Sequence, residues 1–157
     1  MICGLFCWRQ VAGSETDGAR SEYPGASDVL LNRRKLLTDR TRLGRWGEKR
    51  TERFLKGKGL RTLARNFSCR TGELDLVMVD TDGTIVFVEV KTRTGERFVP
   101  AEAVVTSRKR RRIGRAARYF LAVHDIQDRV YRFDVVTIVL GDSGPPDIRH
   151  YEGAFVP

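Results

Sequence analysis

Four residues have the type and spacing to do chemistry together: Glu73, Asp75, Glu89 and Lys91. Successive strand residues point to opposite faces, so Glu89 and Lys91 in Phe87-Val-Glu-Val-Lys91 project from one face. Glu73 and Asp75 share a face of the preceding strand in the same way. The segment Thr81-Asp-Gly-Thr84 joins the two strands as a hairpin turn, and its loop length decides whether the two pairs meet. A two-residue loop at Asp82-Gly83 pairs Asp75 with Val90 and leaves Asp75 and Glu89 on opposite faces. A three-residue loop, Thr81 to Gly83, puts Gly83 at the left-handed position that such loops favour. It pairs Asp80 with Thr84, and so Asp75 with Glu89. The three-residue loop, or another odd-numbered one, is the expectation. Directly opposed residues have Cβ atoms about 5 Å apart, close enough to share a hard cation.

The chemistry this set suits is metal-assisted phosphodiester hydrolysis. Asp75 and Glu89 would hold Mg²⁺ or Mn²⁺, helped by the Val90 carbonyl, with waters and a phosphate oxygen completing the shell. The cation would polarise the phosphorus and acidify a bound water. Lys91 would position that water or offset the charge developing on the phosphate. The plainer alternative is an edge hairpin on which Lys91 neutralises an exposed Glu89. Against it stand Leu74, Leu76, Val77, Met78, Val86, Phe87, Val88 and Val90, which cover both faces and read as central strands. Carboxylates buried there are costly unless paired or bound to metal. Glu48, on the first helix, is either a further ligand, direct or through water, or a surface residue of an amphipathic helix.

The elements that must position these groups fit one domain in 157 residues. A 41% hydrophobic content and 5 prolines argue against a wholly disordered chain. No apolar run approaches the length of a membrane span. Residues 1–39 read as a disordered arm, centred on Gly13 to Ser27, with a short helical piece from Val29 to Leu37. A nuclease-like domain then occupies residues 40–157. Leu43, Trp46, Phe54 and Leu55 fall near helical spacing, with Gly57 and Gly59 as a stop. Gly44 and Gly47 weaken that helix unless a backbone or phosphate approaches closely. Strands follow at Leu60–Asn66 (an edge), Glu73–Val79 and Ile85–Lys91. Helical starts at Pro100 and Ser107 precede a helix with Ile113, Ala116, Ala117, Phe120 and Leu121 on one side. Strands at Val130–Leu140 and Ile148–Tyr151 complete an α-β-β-β-α-β-β order, a mixed central sheet flanked by helices.

Charge names the partner class. Twenty-nine Lys and Arg oppose 20 Asp and Glu, a net +9, and such a field concentrates polyanions. Ten basic residues lie between Arg42 and Arg70 and ten more between Lys91 and Arg118, each group against two acids. The run Arg108-Lys-Arg-Arg-Arg112 opens the second helix, where the macrodipole favours anions. Phosphate contact explains that placement better than a solvated face does. The candidate phosphate contacts are Arg45, Arg65, Arg93, Arg108, Lys109 and Arg112. Nucleic acid is the expected partner, DNA ahead of RNA, with no membrane. Cys3, Cys7 and Cys69 form no disulfide framework and read as free thiols of a cytoplasmic protein. Asp80 and Asp82 read as turn formers, Trp46 as core, and Asp134 as a hydrogen-bonded structural acid. His124 suits a helix end, and His150 carries no signal.

Residues 43 to 155 resemble the YraN-like family, a branch of the restriction-endonuclease-like PD-(D/E)xK superfamily. The matching pieces are Gly44-Arg-Trp-Gly-Glu48, Arg65-Asn66, Thr71-Gly-Glu-Leu-Asp-Leu76, Phe87-Val-Glu-Val-Lys-Thr-Arg93, the Ala117 to Leu121 helix, Arg132-Phe-Asp-Val135 and Ala154-Phe155. The resemblance implies a restriction-endonuclease-like α/β fold and kinship with archaeal-type Holliday junction resolvases. It implies a metal site of Glu48, Asp75 and Glu89, with Lys91 as the catalytic lysine. Thr71-Gly-Glu-Leu-Asp75 lacks the proline of the superfamily's name. The activity so implied is a metal-dependent, structure-selective nuclease on branched or damaged DNA, and a homodimer would suit a two-fold junction. The alternatives are a non-cleaving nucleic-acid-binding module working with a repair or recombination partner, or an RNA-associated protein.

Overall fold

A computed structural model describes residues 33, 36–94, 105–141 and 143–157. Most of the expected N-terminal arm, Cys3 and Cys7, and the helical start at Pro100 lie outside them. The order is α1 (Arg40–Gly57), β1 (Arg61–Cys69), β2 (Gly72–Val79), β3 (Ile85–Thr94), α2 (Ser107–Val123), β4 (Tyr131–Leu140) and β5 (Asp147–Tyr151). The five strands lie in chain order across one sheet. β1, β2 and β3 form an antiparallel meander, β3 and β4 run parallel across the α2 connection, and β5 returns antiparallel on β4. This is the mixed sheet with flanking helices, and β1 is the expected edge. No helix among the described residues is long and apolar enough to cross a membrane.

The hairpin that decides the site has the three-residue loop. The Gly83 amide donates to the Asp80 carbonyl at 3.0 Å, and the Asp80 amide donates to Thr84 at 2.9 Å. Gly83 takes φ +88°, a conformation L side chains rarely adopt. Asp80 and Asp82 accept from the Thr81 and Thr84 amides, the turn-forming role expected of them. Register follows: Val79 faces Ile85 and Leu76 faces Val88.

Among the described residues, each face of the sheet carries one helix. Leu55 of α1 joins Leu60, Leu76, Met78, Val86, Val88, Val136 and Ile138, with Trp46 packed alongside. Ile113, Ala116, Ala117 and Phe120 of α2 join Val77, Ile85, Phe87, Phe133 and Val135 on the other side. Asp39 caps α1 by accepting from the Thr41 and Arg42 amides, and Thr106 caps α2 by accepting from Lys109. Glu52 fixes α1 to β1. It accepts from Thr62 Oγ1 at 2.7 Å and from Arg65 through both Nε and a terminal nitrogen, at 2.8 and 2.6 Å. The Arg65 guanidinium holds the Glu52 carboxyl down at about 2.

Gly47 lets α1 lie against the far end of β3. A Cβ there would sit 3.0 Å from Thr92 Cβ and collide with Thr92 Oγ1. Rotating Thr92 relieves the hydroxyl but not its Cβ. Gly47→Ala gains up to about 1 kcal/mol of helix propensity and incurs overpacking of about 1–3 kcal/mol. The variant should therefore be less stable in urea denaturation, and Thr92→Ala should restore part of the loss. A Gly47→Ala protein as stable as wild type would refute the close contact.

Candidate active site

The β2–β3 ladder runs from Val79 and Ile85 to Leu76 and Val88 and ends there. Below that point β2 continues on β1 to Gly72, and β3 continues on β4 to Thr94. The two central strands fork. Asp75 and Glu89, next in register, stand at the crotch. The Val90 amide donates to Asp75 Oδ2 at 2.8 Å, so a side chain takes over where the ladder stops.

The fork opens into a cleft of about 780 Å³. Glu48, Glu73, Asp75, Glu89, Lys91 and Lys109 all line it, with Arg40, Gly44, Thr92 and Arg93 around them. Glu89 is only 3% exposed. Lys91 Nζ lies 2.6 Å from Glu89 Oε1 and Lys109 Nζ lies 3.5 Å from the same oxygen. Lys109 also donates to Glu73 Oε1 at 3.0 Å. Burial, reinforced by the Glu89 charge, pushes the Asp75 carboxyl up to about 7. Burial works against the Lys109 charge, but Glu89 and Glu73 outweigh it and hold that ammonium above its usual value. Glu73 is lowered in turn, chiefly by the Lys109 hydrogen bond.

The ancestry of this arrangement is clear from sequence. A sequence model of the family described as Uncharacterised protein family UPF0102 matches residues 47–138. The chain belongs to the UPF0102 family. A UPF0102 protein of Mycolicibacterium smegmatis is 46% identical over 115 residues, which is 73% of this chain and 93% of that protein. One from Nocardia farcinica is 46% identical over 131 residues, 83% of this chain and 99% of the relative. One from Frankia casuarinae is 44% identical over 113 residues, covering 72% and 95%. The UPF0102 core thus contains both central strands and α2, and its mixed α/β architecture is consistent with the restriction-endonuclease-like fold.

Within that core the structure gathers Glu48, Asp75, Glu89 and Lys91 about one cleft. Glu48 makes no hydrogen bond or ion pair among the described residues. No three acidic, His or Cys side chains there converge as a ready metal cage. Arg93 lines the cleft, while Arg108 and Arg112 are exposed on the first turns of α2. Arg45 is exposed outside the cleft lining, and Arg65 is committed to Glu52. Lys109, expected as a phosphate contact, instead reaches into the carboxylate cluster. Its spacing with Ile113, Ala116 and Phe120 puts it on the buried side of α2, a signal that was available in the sequence. Glu73, which shares a strand face with Asp75, lines the cleft too, and Arg40 is a further cleft residue that pattern alone did not single out. Asp134 is buried and accepts from His150 Nε2, Arg132 and the Gly153 amide, a structural acid as expected.

The Asp75 shift has a measurable sign. Its folded pKa lies above the ordinary carboxylate value, so its contribution to stability is full below about pH 4 and is lost as pH rises through 7. Asp75→Asn keeps an acceptor for Val90 and removes the buried charge. In EDTA the variant should exceed wild type by about 4 kcal/mol at pH 8 and match it near pH 4. A variant no more stable at pH 8 would show that the fork carries no uncompensated charge.

Proposed function

We propose that the fork is the active site of a metal-dependent nuclease that hydrolyses phosphodiester bonds in branched or damaged DNA. The observation that carries this reading is the half-buried Asp75 beside the buried Glu89 at the ladder's end, opening onto a cleft that Arg40, Lys91, Arg93 and Lys109 also line. The donor set fits Mg²⁺ or Mn²⁺, which commonly takes one or two carboxylates and keeps waters and substrate oxygens for the rest of its shell. Asp75 and Glu89 would hold the cation, the Val90 carbonyl would assist, and Glu48 would reach it through water. When bound, it would polarise a phosphate oxygen and acidify a water. The raised Asp75 pKa supports this fit, because a carboxyl that retains its proton near neutrality in the free protein gains most from a cation.

The chain's own groups supply the remainder. Lys91, 28% exposed and held by Glu89, faces the cleft. There its ammonium offsets negative charge that builds on the non-bridging phosphate oxygens as water adds and the P–O bond to the leaving oxygen breaks. Lys109 holds Glu89 and Glu73 in place from α2. Arg93 and Arg40 line the path of the strand. Gly44 leaves open space, since a Cβ there would meet nothing within 4 Å, and this admits a backbone close to α1.

A second reading has its own support. Two ammonium groups already sit on Glu89, which suits a nucleic-acid-binding scaffold that does not cleave. Incubation of labelled duplex, flap and four-way junction with Mn²⁺, Mg²⁺ or EDTA separates the two. We expect metal-dependent cutting that falls about 10²-fold or more in Glu89→Ala and in Lys91→Ala. Binding without cutting in every lane, unaltered by either substitution, would leave the scaffold.

A further inference from the structure

Helix α2 presents two different basic faces. Its seventeen residues hold seven Lys and Arg and no acid. Lys109 points at the sheet. Arg111, Arg115 and Arg118 recur at i, i+4 and i+7, about 120–180° round the axis from it, on the solvent side. All three are exposed, and among the described residues none makes a hydrogen bond or ion pair. Three unpaired guanidiniums along one ridge repel one another, and no carboxylate of α2 relieves them. Beside the ridge runs a groove of about 290 Å³ lined by Arg111, Gly114, Arg115, Arg118 and Pro157. Gly114 has no room for a side chain, since a Cβ would lie 2.5 Å from that of Pro157.

We propose that this ridge is a second phosphodiester-backbone site, separate from the cleft, so that one chain holds two nucleic-acid segments at once. The ligand class follows from the groups. Guanidiniums bind phosphate bidentately, and a positive ridge with no base-reading polar groups suits a repeating anion. Arg111 to Arg118 spans about 10 Å, over which one strand of a duplex carries about three phosphates. The separation follows from helix geometry. A backbone at Lys109 and one at the ridge are kept apart by the helix, about 10–12 Å thick with its side chains. The inference rests on the reading that the cleft takes nucleic acid, but not on cleavage.

The test is bridging in EDTA. A biotinylated duplex on beads is loaded with protein and washed, and capture of a second, fluorescent duplex is measured against salt. Wild type should capture it. The Arg111→Ser/Arg115→Ser/Arg118→Ser protein should stay on the first duplex and capture none of the second. Arg115→Ser alone should flatten the log–log salt dependence of capture by about 0.9. Bridging retained by the triple variant overturns the proposal, as it would show that two clefts in a dimer do the bridging. Loss of both duplexes together overturns it by making ridge and cleft one footprint. Capture of anionic vesicles in place of the second duplex, lost in the same variant, assigns the ridge to a lipid surface and overturns it as well. Bridging by a wild type that never cuts would sink the nuclease reading and leave the ridge standing.

Discussion

The hydrogen bond from the Val90 amide to Asp75 Oδ2 is the interaction on which the site is built. A buried strand amide must find an acceptor, and an unbroken ladder would supply a carbonyl. Here a side-chain carboxylate does so, and β2 and β3 can part without orphaning the amide. Parting exposes what the ladder would have buried. It also leaves two acids side by side, one of them almost fully buried. That cost obliges the fold to bring cations to the same place. Lys91 comes from the strand itself, two residues beyond Glu89. Lys109 comes from the first turn of α2, so the helix must start where it does, with Thr106 as its cap.

The two helices meet this demand differently. α2 divides its charge by face, with Lys109 inward, and no acid along its length competes for the cluster. α1 brings its own acids to opposite uses. Glu52 is locked to Arg65, Thr62 and Lys56 and holds the helix to β1. Glu48, one turn earlier, lines the cleft wall and has no partner among the described residues. Gly47, beside it, is what lets that turn lie against Thr92 at all. The close approach of α1 and the position of Glu48 are therefore one structural fact.

Much of this is legible in the sequence. Gly83 implied an odd loop, an odd loop implied Asp75 opposite Glu89, and the apolar residues on both sides implied burial. Local chemistry carried each of those steps. What stayed hidden depends on contacts between distant segments. His150 gave no signal because its partner, Asp134, lies on a neighbouring strand, and only the β4–β5 register brings them to 2.8 Å. Arg65 looked free because Glu52 lies thirteen residues away, on a helix whose rotation against β1 is set by Leu55 and its neighbours. Lys109 was intermediate. Its helical phase was readable, but the acids it meets were not.

The acids of the fold differ in how completely they are satisfied. Asp134 is fully buried, yet His150, Arg132 and the Gly153 amide all donate to it, and it needs nothing more. Glu52 is so well paired that its pKa falls to about 2. Both behave as parts of the scaffold. Asp75 has one amide donor, a second carboxylate beside it and a pKa raised to about 7. A fold that satisfies two buried acids so completely has the means to satisfy a third. Leaving Asp75 with its pKa raised destabilises the charged form in the free protein, and that imbalance is what the proposed cation would relieve.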